Sequence, residues 1–198
     1  MALTFLALGD SYTIAEGIPR AEQWPVHLVR LLRAEGVDIG DPHIVAKTGW
    51  TTDELADVID AEKIAGGWSI VSLLIGVNNQ YRGRPAEQFR GEFRALLTTA
   101  VRFAGRKAAR VLVLSIPDWG VMPVGEKANR PRIATEIDAY NAVVKAEAER
   151  AGARFIDVTP TSRAHPEWHA SDGLHPSGEQ YAEWARLVLP AARAALTS

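Results

Sequence analysis

Short, almost wholly apolar runs that alternate with segments of helical period constrain the fold of this 198-residue chain more than any other feature. Leu3 to Leu8, Ile70 to Ile75 and Val111 to Ile116 are the clearest of these runs; Ile44 to Ala46 is shorter and weaker, and Arg154 to Val158 is the fifth. A strand with one wet face alternates apolar and polar residues, whereas near-continuous hydrophobicity belongs to a parallel sheet covered on both sides. The intervening segments supply the covers. A helix is predicted from near Pro25, with Trp24, Leu28, Leu31 and Leu32 on one face. Thr51-Thr52-Asp53-Glu54 is a capping box that opens a second, continuing through Leu55 and Ile59. Phe89, Phe93, Leu96 and Ala100, after Pro85, mark a third, and Ile133, Ile137, Tyr140 and Val144, after Pro131, a fourth. The last runs from Ser177 through Tyr181, Trp184, Val188 and Ala192. Five strands each followed by a helix predict one α/β domain. Right-handed crossovers then favour a doubly wound, flavodoxin-like sheet ordered 2-1-3-4-5.

Composition removes several classes of function. The net charge is −2, the pI is near 6.2, and no basic block is longer than Arg106-Lys107. That leaves no electrostatic footprint for nucleic acid or an anionic membrane surface. The absence of cysteine excludes disulfides, thiolate catalysis and cysteine-based zinc sites. No apolar run approaches the roughly 18–20 residues that span a bilayer. Met1 to Leu8 is apolar without a basic start and runs directly into Gly9-Asp10-Ser11, so a cytoplasmic protein is expected. The oligomeric state is left open.

In sheets of this kind ligands bind beyond the carboxyl ends of the strands, which selects the loops starting near residues 9, 47, 76, 117 and 158. The first reads Gly9-Asp10-Ser11-Tyr12-Thr13 and the last Ser171-Asp172-Gly173-Leu174-His175-Pro176. A serine hydroxyl needs a base that takes its proton as it attacks, and an imidazole suits that task when a carboxylate fixes its tautomer. Asp172, three residues before His175, has the spacing to do so. Lys47-Thr48-Gly49-Trp50 follows the second strand, and Gly76-Val77-Asn78-Asn79 the third. Backbone N–H groups of Ser11 and Gly49 and the carboxamide of Asn78 can together form an oxyanion hole. Each element alone has a plain alternative: a capping serine, a surface turn with a solvated histidine, a turn glycine, a turn asparagine. Asp10 is expected to pin the loop backbone.

These four blocks, in this order, resemble the SGNH hydrolases, the GDSL-type lipase and esterase superfamily. Ser11 in GDSYT, Gly49 in KTGWT, Asn78 in GVNN, and Asp172 with His175 in DGLHP match its four blocks over nearly the whole chain. The resemblance implies a single three-layer α/β/α domain over residues 1–198 and ester or thioester hydrolysis without metal or other cofactor. Ser11, Asp172 and His175 would be the catalytic residues, and a small-molecule ester the substrate. Many members carry aspartate where this chain has Asn79, so a charged role at that position is lost. No G-x-S-x-G is present, which argues against the nucleophile elbow of the α/β-hydrolases.

Tyr12, Trp50, Asn79, Tyr81, Trp119 and Trp168 fall in or near the selected loops and are candidate substrate contacts; packing of the loops themselves is the other reading. Pro117 to Arg130 is long for a connection and is expected to shape the site. Arg82 and Arg84 are placed to meet an anionic group or simply water. His165, His169, Asp172 and His175 could be drawn as a metal cluster, but their spacing fits no helix and no familiar zinc pattern. With no lid-like amphipathic insertion, short-chain soluble esters are expected. Two competing readings are an acyltransferase that uses a sugar or alcohol acceptor, and a non-catalytic small-ligand module; the second lacks any G-x-G-x-x-G or G-K-[ST] phosphate loop.

Overall fold

In the computed structural model, which describes residues 2–197, the strands form one parallel sheet in the order β2-β1-β3-β4-β5. In chain order the elements are β1 (Phe5–Gly9), α1 (Ser11–Ile14), α2 (Trp24–Ala34), β2 (His43–Ala46), α3 (Thr52–Ala61), β3 (Ile70–Leu74) and α4 (Val77–Tyr81). They continue with α5 (Ala86–Phe103), β4 (Val111–Leu114), α6 (Arg130–Ala151), β5 (Arg154–Ile156), α7 (Thr159–Ala164) and α8 (Gly178–Leu196). The sheet order and the α/β class are those the hydrophobic pattern predicts.

The strength of each strand's signal follows its place in the sheet. β1, β3 and β4 are buried at every residue because neighbours and helices enclose them on all sides. β2 and β5 are edges, and their partly exposed residues explain the weaker runs in the sequence. α2 packs against α8 through Trp24, Leu28 and Leu32 on one side and Tyr181, Trp184, Val188 and Ala192 on the other. α5 packs against α3 and α6, burying Phe89, Phe93, Leu96, Ile133, Ile137 and Val144. The helices therefore form two layers, and the buried side chains join into one continuous core. The capping box holds: Thr51 N–H donates to Glu54 Oε2 at 2.9 Å. Among the described residues no helix is long and apolar enough to cross a membrane.

Some boundaries shift for identifiable reasons. β1 begins at Phe5, since Leu3 makes only an isolated bridge to Ile39. β5 ends at Ile156, short of the expected Val158. There the Ser115 hydroxyl accepts from Val158 N–H at 2.8 Å and Thr159 N–H at 3.1 Å, turning the chain out of the sheet. The long segment from 117 to 130 is largely two stretches of tight helix, Trp119–Val121 and Pro123–Lys127. It docks on the loop that carries His175, with Val124 N–H donating to the Gly173 carbonyl at 3.0 Å.

The chain leaves β1 for β2 on one side and later returns past it to β3. This reversal opens a crevice over the carboxyl ends of β1 and β3, where doubly wound sheets bind ligands. Gly9 closes β1 at this point. A methyl group there would overlap the Leu74 carbonyl oxygen and the Thr13 side chain. Gly9→Ala is accordingly expected to destabilise the fold by about 3 kcal/mol or more, since backbone must move to admit it. Denaturant melts compared with wild type check this, and an unchanged midpoint would show that the close approach is not needed.

Candidate active site

Ser11 is the first residue of the one-turn helix α1, and Asp10 caps it: Oδ1 of Asp10 accepts from Tyr12 N–H at 3.0 Å. Burial raises the Asp10 carboxyl to about 7, opposed by its backbone hydrogen bonds. Its side chain is therefore engaged with the loop backbone, not with an imidazole. As the first helical residue, Ser11 keeps an N–H with no intrahelical partner.

His175 comes from the loop before α8. Its Nδ1 lies 2.6 Å from Asp172 Oδ2, while Asp172 Oδ1 accepts from Leu174 N–H at 2.9 Å and His175 N–H at 3.0 Å. Burial tends to raise the Asp172 carboxyl, but these hydrogen bonds, led by the one from the His175 ring, outweigh it and hold the carboxyl below its ordinary range. An ionised carboxylate only accepts, so Nδ1 carries the proton and Nε2 is left as the basic nitrogen. The Tyr12 ring meets the imidazole edge-on, with centroids 5.7 Å apart, and backs it from the core side. No hydrogen bond joins Ser11 Oγ to His175 Nε2 in this structure; such contacts commonly tighten only when substrate is bound.

Ser11, Gly49, Asn78 and His175 line one cavity of about 210 Å³, together with Tyr12, Tyr81, Trp119 and Leu174. Gly49 has a φ of +85°, which glycine adopts without strain, and its N–H has no hydrogen bond among the described residues. Asn78 Nδ2 donates to the Trp50 carbonyl at 2.9 Å and has a second hydrogen to offer. Ser11, Gly49 and Asn78, each with a donor not fully used among the described residues, thus line the same cavity as His175.

The cavity takes in Tyr12, Tyr81 and Trp119 of the aromatic candidates, and not Trp50, Asn79 or Trp168. Tyr81 is 67% exposed and stands edge-on to Trp119, whose indole N–H donates to Gln80 Oε1 at 2.8 Å. Trp50 packs against the core. Trp168 stacks on His165 with centroids 3.8 Å apart, and its carbonyl accepts from Ser177 N–H and Gln180 Nε2, so it supports the loop behind His175. Asn79 is fully buried and bonds to Thr52 and Glu92. Arg82 and Arg84 are engaged with protein: Arg82 Nη2 donates to the Gly49 carbonyl at 2.8 Å, and Arg84 Nη1 lies 2.6 Å from Asp53 Oδ1. Arg82 braces the Gly49 loop, and Arg84 the first turn of α3 that follows it. The histidines drawn above as a metal cluster have separate partners, His169 Nδ1 lying 2.8 Å from the Ala170 carbonyl, and no group of three His, Asp or Glu side chains suited to a metal occurs among the described residues. Thr48, Val77 and Leu174 also line the cavity, and nothing in their spacing singles them out.

A five-stranded parallel sheet with a serine after β1, a glycine after β2, an asparagine after β3 and an aspartate–histidine loop before the last helix is the SGNH hydrolase architecture. The family model for the GDSL-like lipase/acylhydrolase family matches residues 7–183, and the chain belongs to that family of carboxylic ester hydrolases. Solved structures share the fold. TesA is 21% identical with a TM-score of 0.74, covering 98% of this chain and 99% of its own. The psychrotrophic esterase EstA from Pseudoalteromonas sp. is 18% identical with a TM-score of 0.71, covering 98% of this chain and 99% of its own. Axe2, an acetylxylan esterase from Geobacillus stearothermophilus, is 19% identical with a TM-score of 0.71, covering 96% and 94%. No curated protein sequence matches the chain significantly.

Proposed function

We propose that the chain acts as one domain over residues 1–198 and hydrolyses short-chain carboxylic esters through an acyl-enzyme on Ser11. The observation that carries this reading is the meeting of Ser11, Gly49, Asn78 and His175 around one cavity, with His175 Nδ1 2.6 Å from Asp172. His175 Nε2 takes the Ser11 proton as Oγ attacks the ester carbonyl. The oxyanion accepts hydrogen bonds from Ser11 N–H, Gly49 N–H and Asn78 Nδ2. The imidazolium then protonates the leaving alcohol, and water repeats the sequence to free the acid and regenerate the serine.

Cavity size argues for a small acyl group. At about 210 Å³ it lies below the roughly 300–1,000 Å³ of pockets that enclose drug-sized ligands. Tyr12, Tyr81 and Trp119 are the substrate contacts under this reading, with Trp119 fixed by Gln80 and Tyr81 free to pack on the ligand. Acetyl is the first acyl group to try, since the structurally similar Axe2 is an acetylxylan esterase.

The test is a burst experiment with p-nitrophenyl acetate, in which nitrophenol release should begin with a phase stoichiometric with enzyme wherever deacylation is slower. Along the pH axis kcat/KM should rise as His175 loses its proton, with the Asp10 carboxyl, raised to about 7 by burial, a second group ionising beside Ser11. Protonated His175 cannot accept the serine proton, and Asp172, held below the ordinary carboxylate range, is already charged throughout. A flat profile with chemistry rate-limiting would remove His175 from the role of base.

A further inference from the structure

Asn79 stands beside Asn78 on α4 and is fully buried, yet every polar atom of its side chain is in use. Oδ1 accepts from Thr52 N–H at 3.1 Å, and Nδ2 donates to Thr52 Oγ1 at 2.6 Å and to Glu92 Oε2 at 3.1 Å. The Thr52 hydroxyl donates a hydrogen bond to the same Glu92 oxygen. Glu92, on α5, also accepts from Gln88 at 3.1 Å through Oε1, and Arg84 Nη1 lies 3.5 Å from Oε2. An amide, a hydroxyl and one carboxylate thus form a closed set whose donors and acceptors match.

The set has a place in the site although none of its three residues lines the cavity. Thr52 opens α3, three residues after Gly49, and Asn79 adjoins Asn78, whose Nδ2 reaches back to the Trp50 carbonyl. The Asn79–Thr52 pair therefore ties together the two segments that carry the Gly49 N–H and the Asn78 amide. An aspartate at position 79 would offer only acceptors. It would take the Thr52 hydroxyl proton for itself and place a second carboxylate against Glu92, where two charges at about 3 Å repel strongly in a buried setting.

We propose that Glu92 is a positioning residue for ester hydrolysis, acting through Asn79 and Thr52 to hold the Gly49 and Asn78 donors at the spacing the oxyanion requires. This rests on the assignment of the oxyanion hole made above. In this pairing Glu92 supplies the carboxylate and Asn79 the amide, which keeps the pair from repelling.

The experiment uses p-nitrophenyl acetate with wild type, Asn79→Asp, Glu92→Gln and the double variant, with a thermal melt of each. Asn79→Asp should lower kcat about 10- to 100-fold with KM nearly unchanged, the signature of donors displaced from the transition state. Adding Glu92→Gln to it restores one carboxylate and one amide with their polarity reversed, and should return kcat to within about threefold of wild type. Glu92→Ala, at a partly exposed position on α5, tests the same link if Asn79→Asp fails to fold; it should lower kcat about tenfold, again without a matching change in KM. The proposal is overturned if Asn79→Asp turns over at the wild-type rate, if its loss lies in KM, if the double variant is no faster than the single, or if a folded Glu92→Ala retains full kcat. Ser11→Ala serves as the control. Wild-type turnover in that variant would bring down the esterase reading itself, and this proposal with it, whereas normal loss there leaves the position-79 and position-92 results to decide the proposal alone.

Discussion

Ser11→Ala is expected to lower kcat on a small acetate ester by about 10⁴- to 10⁶-fold while leaving the melting temperature close to that of wild type. Chemically, the proposed mechanism runs entirely through the Ser11 hydroxyl, which shares one cavity with His175, and the alanine variant would keep only the proposed oxyanion donors and substrate binding. Structurally, the Ser11 side chain forms no hydrogen bond among the described residues, and Asp10, not Ser11, caps the short helix. Removing the hydroxyl therefore breaks nothing that holds the fold. Most substitutions at residues this buried cost stability, so a large loss of rate with an unchanged melt separates a reacting group from a packing group. Parallel measurement of kcat and of thermal unfolding checks both halves.

Asp172→Asn should cost about 10⁴-fold in kcat, through the proton on the imidazole and not through loss of shape. Asp172 works in two directions: Oδ1 gathers the Leu174 and His175 N–H groups, and Oδ2 faces His175 Nδ1 at 2.6 Å. Asparagine can keep its oxygen on the two backbone donors and so preserve the loop, but this turns its NH₂ toward Nδ1. The imidazole must then carry its proton on Nε2, which leaves no acceptor for the serine proton. The Asp172→Asn protein should therefore melt near wild type and bind substrate with similar KM while kcat collapses. A loss that appeared mainly as unfolding would instead make Asp172 a turn-forming residue, consistent with its role toward Leu174 N–H alone. Imidazole tautomers can be read directly from ¹⁵N chemical shifts of His175 in the two proteins.

How much of this was legible in the sequence depends on whether the signal is local. β1, β3 and β4 could be read because their burial on both faces is written into consecutive residues, and the four blocks because each sits directly after a strand or before a helix. One-turn helices such as α1, α4 and α7 have too few residues to display a period, so they read as loops. Side-chain partners between separate loops were the larger gap. Trp50 and Trp168 have the composition of pocket walls, yet one faces the core and the other stacks on His165, because the choice depends on which way the loop turns after leaving the sheet. Arg82 and Arg84 looked like surface cations until the fold brought the Gly49 carbonyl and Asp53 within reach. Asn79 showed only that an aspartate was missing. Its partner Glu92 lies 13 residues further on, one of many exposed-looking glutamates until α5 is laid beside α3.

If the Ser11 hydroxyl is made nucleophilic by the groups around it, a fluorophosphonate probe will find it without any choice of ester. Intact-mass analysis of wild type should find a single adduct, peptide mapping should place it on Ser11, and Ser11→Ala should take up none under the same conditions. An adduct of equal extent in the alanine variant, or one mapped to another residue, would contradict the account.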